Sequence, residues 1–413
     1  MRKGGLKYIL FFLLLYIYLY NPIFQIFNFG LIKLLLLIAL FYILVTKRLN
    51  FFVTLFKREI LFTLTLIVYS FIMTQIGDGS AVKVPYMHTI WFLECFFIPV
   101  FFLGFFKDVF KKISGEGVLV FIGFIASLIT FFLILNPSTN SLIKNSILID
   151  PFTNTDNYNL FLTDTTTGIV DETRLFRGFT IAESSTYSYG IIQGIILSIC
   201  LISYNKNKLY AIPIPFLIIS ILFNARIGIA IVILVILLLL ITKKISIIGT
   251  VWVIFTLSVF YLLLLNTSFF INNEQTIRWA LSIFDSTINL DLNDQNTNYG
   301  VLVTMLIFPS TLFGIIFGEG KVAGVDIGFI NQLFVGGIVY LSILLLFLWY
   351  IFKRNLKYST NKLIPVIFLI SIIIANFKGN ALILPNGFFR LITFYYIYCL
   401  YTYNKTSTLY SYL

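Results

Sequence analysis

"MRKGGLKYILFFLLLYIYLY" occupies residues 1–20. Three cations, Arg2, Lys3 and Lys7, stand before an apolar run, and "NPIFQIF" follows at 21–27 with no small-residue cleavage site between. That order reads as a retained membrane helix with its basic end on the cytoplasmic side, not as a removable signal peptide. The pattern then recurs. Apolar runs fall at 6–20, 31–46, 59–76, 87–106, 117–135, 183–203, 209–224, 226–242, 246–266, 327–351, 361–377 and 386–403. Runs of this length predict about 12 transmembrane helices.

Composition sets the class. The chain of 413 residues is 59% hydrophobic and 11% charged, with 46 Phe and 24 Tyr and a mean hydropathy of +0.97. A soluble core cannot hide that much apolar surface, so an all-α polytopic membrane protein is expected. A β-barrel is excluded because its strands would alternate polar and apolar residues. No loop is long enough for an ordinary soluble domain, so residues 1–413 read as a single integral membrane domain. Cys95, Cys200 and Cys399 lie inside apolar runs without disulfide or zinc spacing, and they read as small buried hydrophobes. With one histidine in the chain, no metal site and no cofactor are expected.

The net charge of +12 is topological, and nucleic acid is not an expected partner. Alternate loops carry Arg2/Lys3/Lys7, Lys47/Arg48/Lys57/Arg58, Lys107/Lys111/Lys112, Lys206/Lys208, Lys243/Lys244, Lys353/Arg354/Lys357/Lys362 and Lys405, which is 19 of the 29 basic residues. The positive-inside bias puts these loops and both termini in the cytoplasm. The opposite face holds two long segments, 136–182 and 267–326, with most of the 17 acidic residues. Arginine is enriched there: 4 of the 19 inner cations are arginine against 5 of the other 10. Lysine suffices as a topology signal, whereas arginine offers a planar fork that binds phosphate or carboxylate with two hydrogen bonds.

Those arginines stand in four settings. "RLFRGFTIAES" (174–184) places Arg174 and Arg177 three residues apart, with Glu183 close to the start of the sixth span, where the helix dipole favours a carboxylate. "FNARIGIAIVILV" (223–235) places Arg226 where two short spans meet; it either snorkels to the outer headgroups or lines an outward-facing pocket that binds an anion. In the second loop, Ile277, Ala280, Leu281 and Phe284 make one apolar stripe beside Arg278, which predicts an amphipathic surface helix. The following "GVLVTMLIFPSTLFGIIFG" (300–318) reads as a re-entrant or interfacial segment, because a full crossing would put Asp326 and Lys353 on the wrong sides. Asp326 then opens the tenth span after a glycine-rich turn, as helix cap or as base. His88 sits at the outer end of the fourth span and Glu94 six residues on within it; a structural role is expected for both, with Glu94 paired or protonated. Arg390 stands at the outer end of the last span.

"RLFRGFTIAES", "LFNARIGIAI" (222–231) and "GEGKVAGVDIGFINQLFVGGIVY" (318–340) resemble segments of the bacterial O-antigen and capsular polysaccharide repeat-unit polymerases of the Wzy type. The O-antigen ligases are similar at a greater distance. As architecture the resemblance covers most of the chain: about a dozen spans, cytoplasmic termini and two large outer loops. A second-loop motif of that family carries histidine where this chain has Asp326, and glycine where it has Tyr340, while Gly337 matches. In the first loop Ser185 and Ser188 stand where the family spacing would put glycine.

The resemblance implies a GT-C-like glycosyltransferase in the bacterial cytoplasmic membrane. Its substrates would be undecaprenyl-pyrophosphate-linked oligosaccharides, with membrane lipids, a chain-length regulator and a flippase as partners. Transfer would invert the anomeric centre without metal. An anionic leaving group demands preorganised cations, and the acceptor hydroxyl demands a base. Arg174, Arg177 and Arg226 are the candidates for pyrophosphate, with Arg278 and Arg390 secondary. Asp326 is the candidate base, and Glu183 the second. An O-antigen ligase, or a lipid-linked oligosaccharide flippase or other secondary transporter, is the alternative, although transporters commonly show internal repeats and none is found here.

Overall fold

The fold is that of a computed structural model. It describes residues 3–24, 29–77, 81–146, 179–182, 186–204, 206–225, 227–242, 305–325, 327–377, 379, 382 and 386–404. The chain is an all-α membrane protein. Its helices are α1 (Lys3–Tyr20), α2 (Leu31–Val45), α3 (Leu49–Leu55), α4 (Lys57–Ile76), α5 (Lys83–Phe92), α6 (Ile98–Phe105), α7 (Lys107–Phe110), α8 (Gly115–Leu135) and α9 (Pro137–Ser146). They continue as α10 (Thr186–Ser203), α11 (Pro213–Asn224), α12 (Ile227–Ile241), α13 (Leu312–Phe317), α14 (Gly328–Tyr358), α15 (Leu363–Phe377) and α16 (Gly387–Asn404). Among the described residues, strand pairing is confined to Ile23–Phe24 against Phe29–Gly30.

Each predicted apolar run holds a helix, apart from 246–266, which lies outside the described residues. Among the described residues four stretches are long and apolar enough to cross a membrane: Lys57–Ile76, Lys83–Phe105, Gly115–Leu135 and Gly328–Tyr358. The other apolar helices are shorter. Helix starts follow local chemistry. Ser114 caps α8 by accepting from Gly117 N–H at 3.1 Å, and Pro213 opens α11, where its missing N–H costs nothing.

The run 87–106, predicted as one helix, is not uniform. Its backbone widens into a π-turn at Leu93–Phe97 between α5 and α6. Pro99 is the physical reason: its ring would clash with the carbonyl four residues back, and it donates no hydrogen bond. The widened turn carries Glu94.

The described residues of the segment 267–326 include the six-residue helix α13, capped by Thr311 accepting from Gly314 N–H at 2.9 Å. The capping position of α14 belongs to Ile327, one residue beyond the expected Asp326, and its apolar side chain makes no cap.

By their contacts the residues form two compact units. The first comprises Met1–Lys33 and Ile113–Leu290. Within it α10 packs on α12, α11 and α8, and α1 packs on α8. Small residues allow the closest approach: a Cβ at Gly194 would stand 2.7 Å from Gly228 O. Backbone contact of this kind binds helices where lipid supplies no hydrophobic drive. The second unit comprises Leu34–Lys112 and Asp291–Leu413. There α14 packs on α4, α13, α15 and α16, and α16 rests on the π-turn. Aromatic contacts fill this interior, with Phe62 stacked on Phe347 at 5.3 Å and Trp91 edge-on to Phe389 at 5.3 Å.

Candidate functional site

Two places bring chemistry-bearing sequence together, one in each unit. In the first unit, the segment after Arg177 is held against the joint that carries Arg226. Phe179 packs edge-on to Phe223 with ring centroids 6.1 Å apart. Both belong to one buried cluster with Leu133, Ile134 and Ile219. Two residues on from Phe179, the carbonyl of Ile181 accepts from the Tyr16 hydroxyl at 2.7 Å. Ala225 lies on Gly190, where an added Cβ would stand 2.4 Å from the Ala225 carbonyl oxygen. The start of α10 and the α11–α12 joint therefore lie side by side.

The floor beneath this edge is polar. The Tyr189 hydroxyl pairs with Thr130 at 2.8 Å and donates to Ala126 O at 3.2 Å. Gln193 donates to the Tyr20 hydroxyl at 3.2 Å. These side chains are buried, and buried polar groups of this kind fix a single packing when paired.

In the second unit, α14 is broken. Gly336 and Gly337 leave helical geometry, and Gly337 has φ of +65°. The turn Gly318–Gly320 inserts at the break. A Cβ at Gly337 would stand 2.3 Å from Ile316 O, and one at Gly318 would stand 2.4 Å from Gly336 Cα. Carbonyls released by the break find partners: Phe334 O accepts from Glu319 N–H at 2.8 Å, and Gly336 O accepts from the Tyr69 hydroxyl at 3.1 Å. Irregular backbone at membrane depth survives only when such partners exist. Downstream, the Asn331 side chain accepts from Gly324 N–H at 3.1 Å and donates to Val325 O. Asn331 thus fixes the strand of chain leading to position 326.

Buried polar pairs recur through the second unit. His88 hydrogen-bonds Tyr340, one turn after Gly336. Gln332 and Asn376 pair reciprocally through their amides at 2.8 and 3.1 Å. Arg390 Nη1 lies 3.2 Å from Glu94 Oε2, with side chains 1% and 4% exposed. Glu59 Oε1 accepts from Arg354 Nη1 at 2.5 Å and from the Tyr396 hydroxyl at 2.6 Å. In the turn itself, Glu319 is held by Lys321 at 2.6 Å.

Of the candidate residues read from sequence, Arg390 is described, and it is buried against Glu94. Arg174, Arg177, Glu183, Arg226, Arg278 and Asp326 lie outside the described residues, although their described neighbours are placed as above. Glu94, expected to be paired or protonated, is paired with Arg390, and His88 hydrogen-bonds Tyr340. Sequence reasoning missed Glu319, Glu59 and the break in α14. The adjacent glycines of "FVGGIVY" (334–340) were the available signal for the break. Among the described residues no three His, Cys, Asp or Glu side chains gather where they could hold a metal ion. Comparison with protein-family models, with curated proteins and with solved structures finds no match.

Proposed function

We propose that this chain is a membrane glycosyltransferase that polymerises lipid-pyrophosphate-linked oligosaccharide repeat units into O-antigen or capsular polysaccharide. The reaction takes place at the outer face of the bacterial cytoplasmic membrane, in a chain of about twelve spans with a GT-C-like arrangement and cytoplasmic termini. The observation that carries the reading is the contact of Phe179 with Phe223. It ties the flank of Arg174 and Arg177 to the flank of Arg226 although the two are far apart in sequence. Arginines meeting at one edge suit an anion of pyrophosphate type.

In the proposed step, the bond from the donor's anomeric carbon to pyrophosphate breaks, and the acceptor hydroxyl oxygen bonds to that carbon from the opposite side. The pyrophosphate stays on its lipid, its charge met by Arg174, Arg177 and Arg226, with Arg278 secondary; Arg390, the other candidate read from sequence, is buried against Glu94 and is left out of the step. The hydroxyl proton passes to Asp326, or to Glu183 in its place. Undecaprenyl pyrophosphate is the carrier, and a chain-length regulator and flippase are the expected partners.

Deletion in the parent strain, followed by sizing of the polysaccharide, tests the reading. A polymerase mutant leaves one repeat unit on its acceptor. A ligase mutant leaves polymer on the carrier.

A second reading has one observation in its favour. Helices broken within the membrane are a feature of secondary transporters, and α14 is broken at Gly336–Gly337. Under that reading the chain is a lipid-linked oligosaccharide flippase, and its deletion strands repeat units on the cytoplasmic side.

A further inference from the structure

The second unit carries a basic groove lined by none of the residues assigned above to glycosyl transfer. It has a volume of about 810 Å³ and lies between the start of α4 and the end of α14. Lys57, Arg58, Lys353, Arg354 and Lys357 line it, and no carboxylate does. Arg354 is already neutralised by the buried Glu59. The other four cations are exposed and repel one another.

Their positions are costly without a counter-ion. Lys57 and Arg58 are the first two residues of a 20-residue helix, where the dipole opposes positive charge and the free N–H groups seek an anion. Tyr350, Lys353, Arg354, Lys357 and Tyr358 recur at helical spacing and share one face of α14. The tyrosines hold the cations in place: Arg58 lies 5.9 Å from the Tyr350 ring centre and Lys357 lies 5.4 Å from that of Tyr358.

Below the cations the same helix faces turn apolar and open. On α4, Leu61, Leu64 and Val68 continue the line of Lys57 and are exposed. On α14, Trp349 and Leu346 continue the line of Lys353 and are exposed. A phosphate above and hydrocarbon below is the shape of a phospholipid, and a soluble phosphate would leave the apolar stripes unused. We infer that this groove binds the headgroup of an anionic phospholipid of the cytoplasmic leaflet, with its acyl chains along α4 and α14.

Native mass spectrometry of the full chain released from nanodiscs tests this, using cardiolipin or phosphatidylglycerol against phosphatidylcholine. The wild-type chain should retain anionic lipid. The variant Lys57→Gln/Lys353→Gln/Lys357→Gln should bind it ~10²-fold more weakly, at about fivefold for each lysine near an anionic surface. The Lys→Arg triple should keep it. A control triple, Lys107→Gln/Lys111→Gln/Lys112→Gln, removes as many inner cations away from the groove and should bind as wild type. Equal retention in both glutamine triples, or equal loss, would overturn the site. Thermal stabilisation by inorganic phosphate as large as that by anionic vesicles would overturn the lipid assignment.

Discussion

Arg390 and Glu94, 296 positions apart in the chain, meet inside one unit with their side chains almost wholly buried. The π-turn at Leu93–Phe97 carries Glu94 to that meeting, and α16 carries Arg390. Removing one partner strands a buried charge, which costs about 3–5 kcal/mol, whereas removing both relieves the penalty. Arg390→Met and Glu94→Leu should each lower the melting temperature of the detergent-purified protein sharply, and the double variant should melt above either single variant. Additive losses in that cycle would show that the pair is not coupled.

Gly337 and Gly324 both have positive φ, but their surroundings differ. A Cβ at Gly337 would strike Ile316 O at 2.3 Å, whereas one at Gly324 would meet nothing within 4 Å. Gly324→Ala carries only the cost of left-handed backbone, about 1–2 kcal/mol. Gly337→Ala adds a clash with backbone that no rotamer relieves. Membrane abundance and thermal stability should fall markedly further for Gly337→Ala, and equal falls would mean that the turn yields freely.

The hydroxyl of Tyr340 meets the ring of His88 in a buried setting. Tyr340→Phe keeps the packing but leaves the imidazole without that partner, at a cost of about 1–3 kcal/mol. A thermal melt should register the loss, and His88→Phe combined with Tyr340→Phe should recover part of it. An unchanged melt in Tyr340→Phe would remove the hydrogen bond from the account.

The proposed pyrophosphate clamp should discriminate between the two kinds of cation. Lysine in place of Arg174, Arg177 or Arg226 keeps the charge and loses the fork, so polymer length should shorten in each variant at normal protein abundance. Asp326→Asn should lower the polymerisation rate by the ~10²–10⁴ typical of a lost general base. Full-length polymer from all three lysine variants would reject the phosphate clamp. A wild-type rate from Asp326→Asn with an inactive Glu183→Gln would move the base to Glu183.

What could be read from sequence was whatever the chain repeats locally. The apolar run 117–135 became α8 at Gly115–Leu135, and 361–377 became α15 at Leu363–Phe377, because a predominantly apolar run leaves a membrane backbone little alternative to a helix. What could not be read depended on distant partners. Glu59 stands at the start of the apolar run 59–76 with no charged partner evident at helical spacing nearby in sequence, yet it is buried against Arg354, 295 positions away. The line of α14 reads as unbroken until Gly318–Gly320 is seen to fill the place beside Gly336 and Gly337. Asp326 looks like a cap because it follows a glycine-rich turn, but Asn331 bonds the backbone on either side of it, at Val325 and Ile327, and the helix begins one residue later.

Reconstitution tests the central claim most directly. The purified protein in proteoliposomes receives undecaprenyl-pyrophosphate-linked repeat unit from the parent strain, with chelator present and no nucleotide, and the glycan is sized by gel. The account predicts a ladder of repeat-unit multiples that disappears in the Arg174→Ala/Arg177→Ala/Arg226→Ala variant. Single repeat units that cross to the opposite leaflet without lengthening would contradict it and establish the transporter in its place.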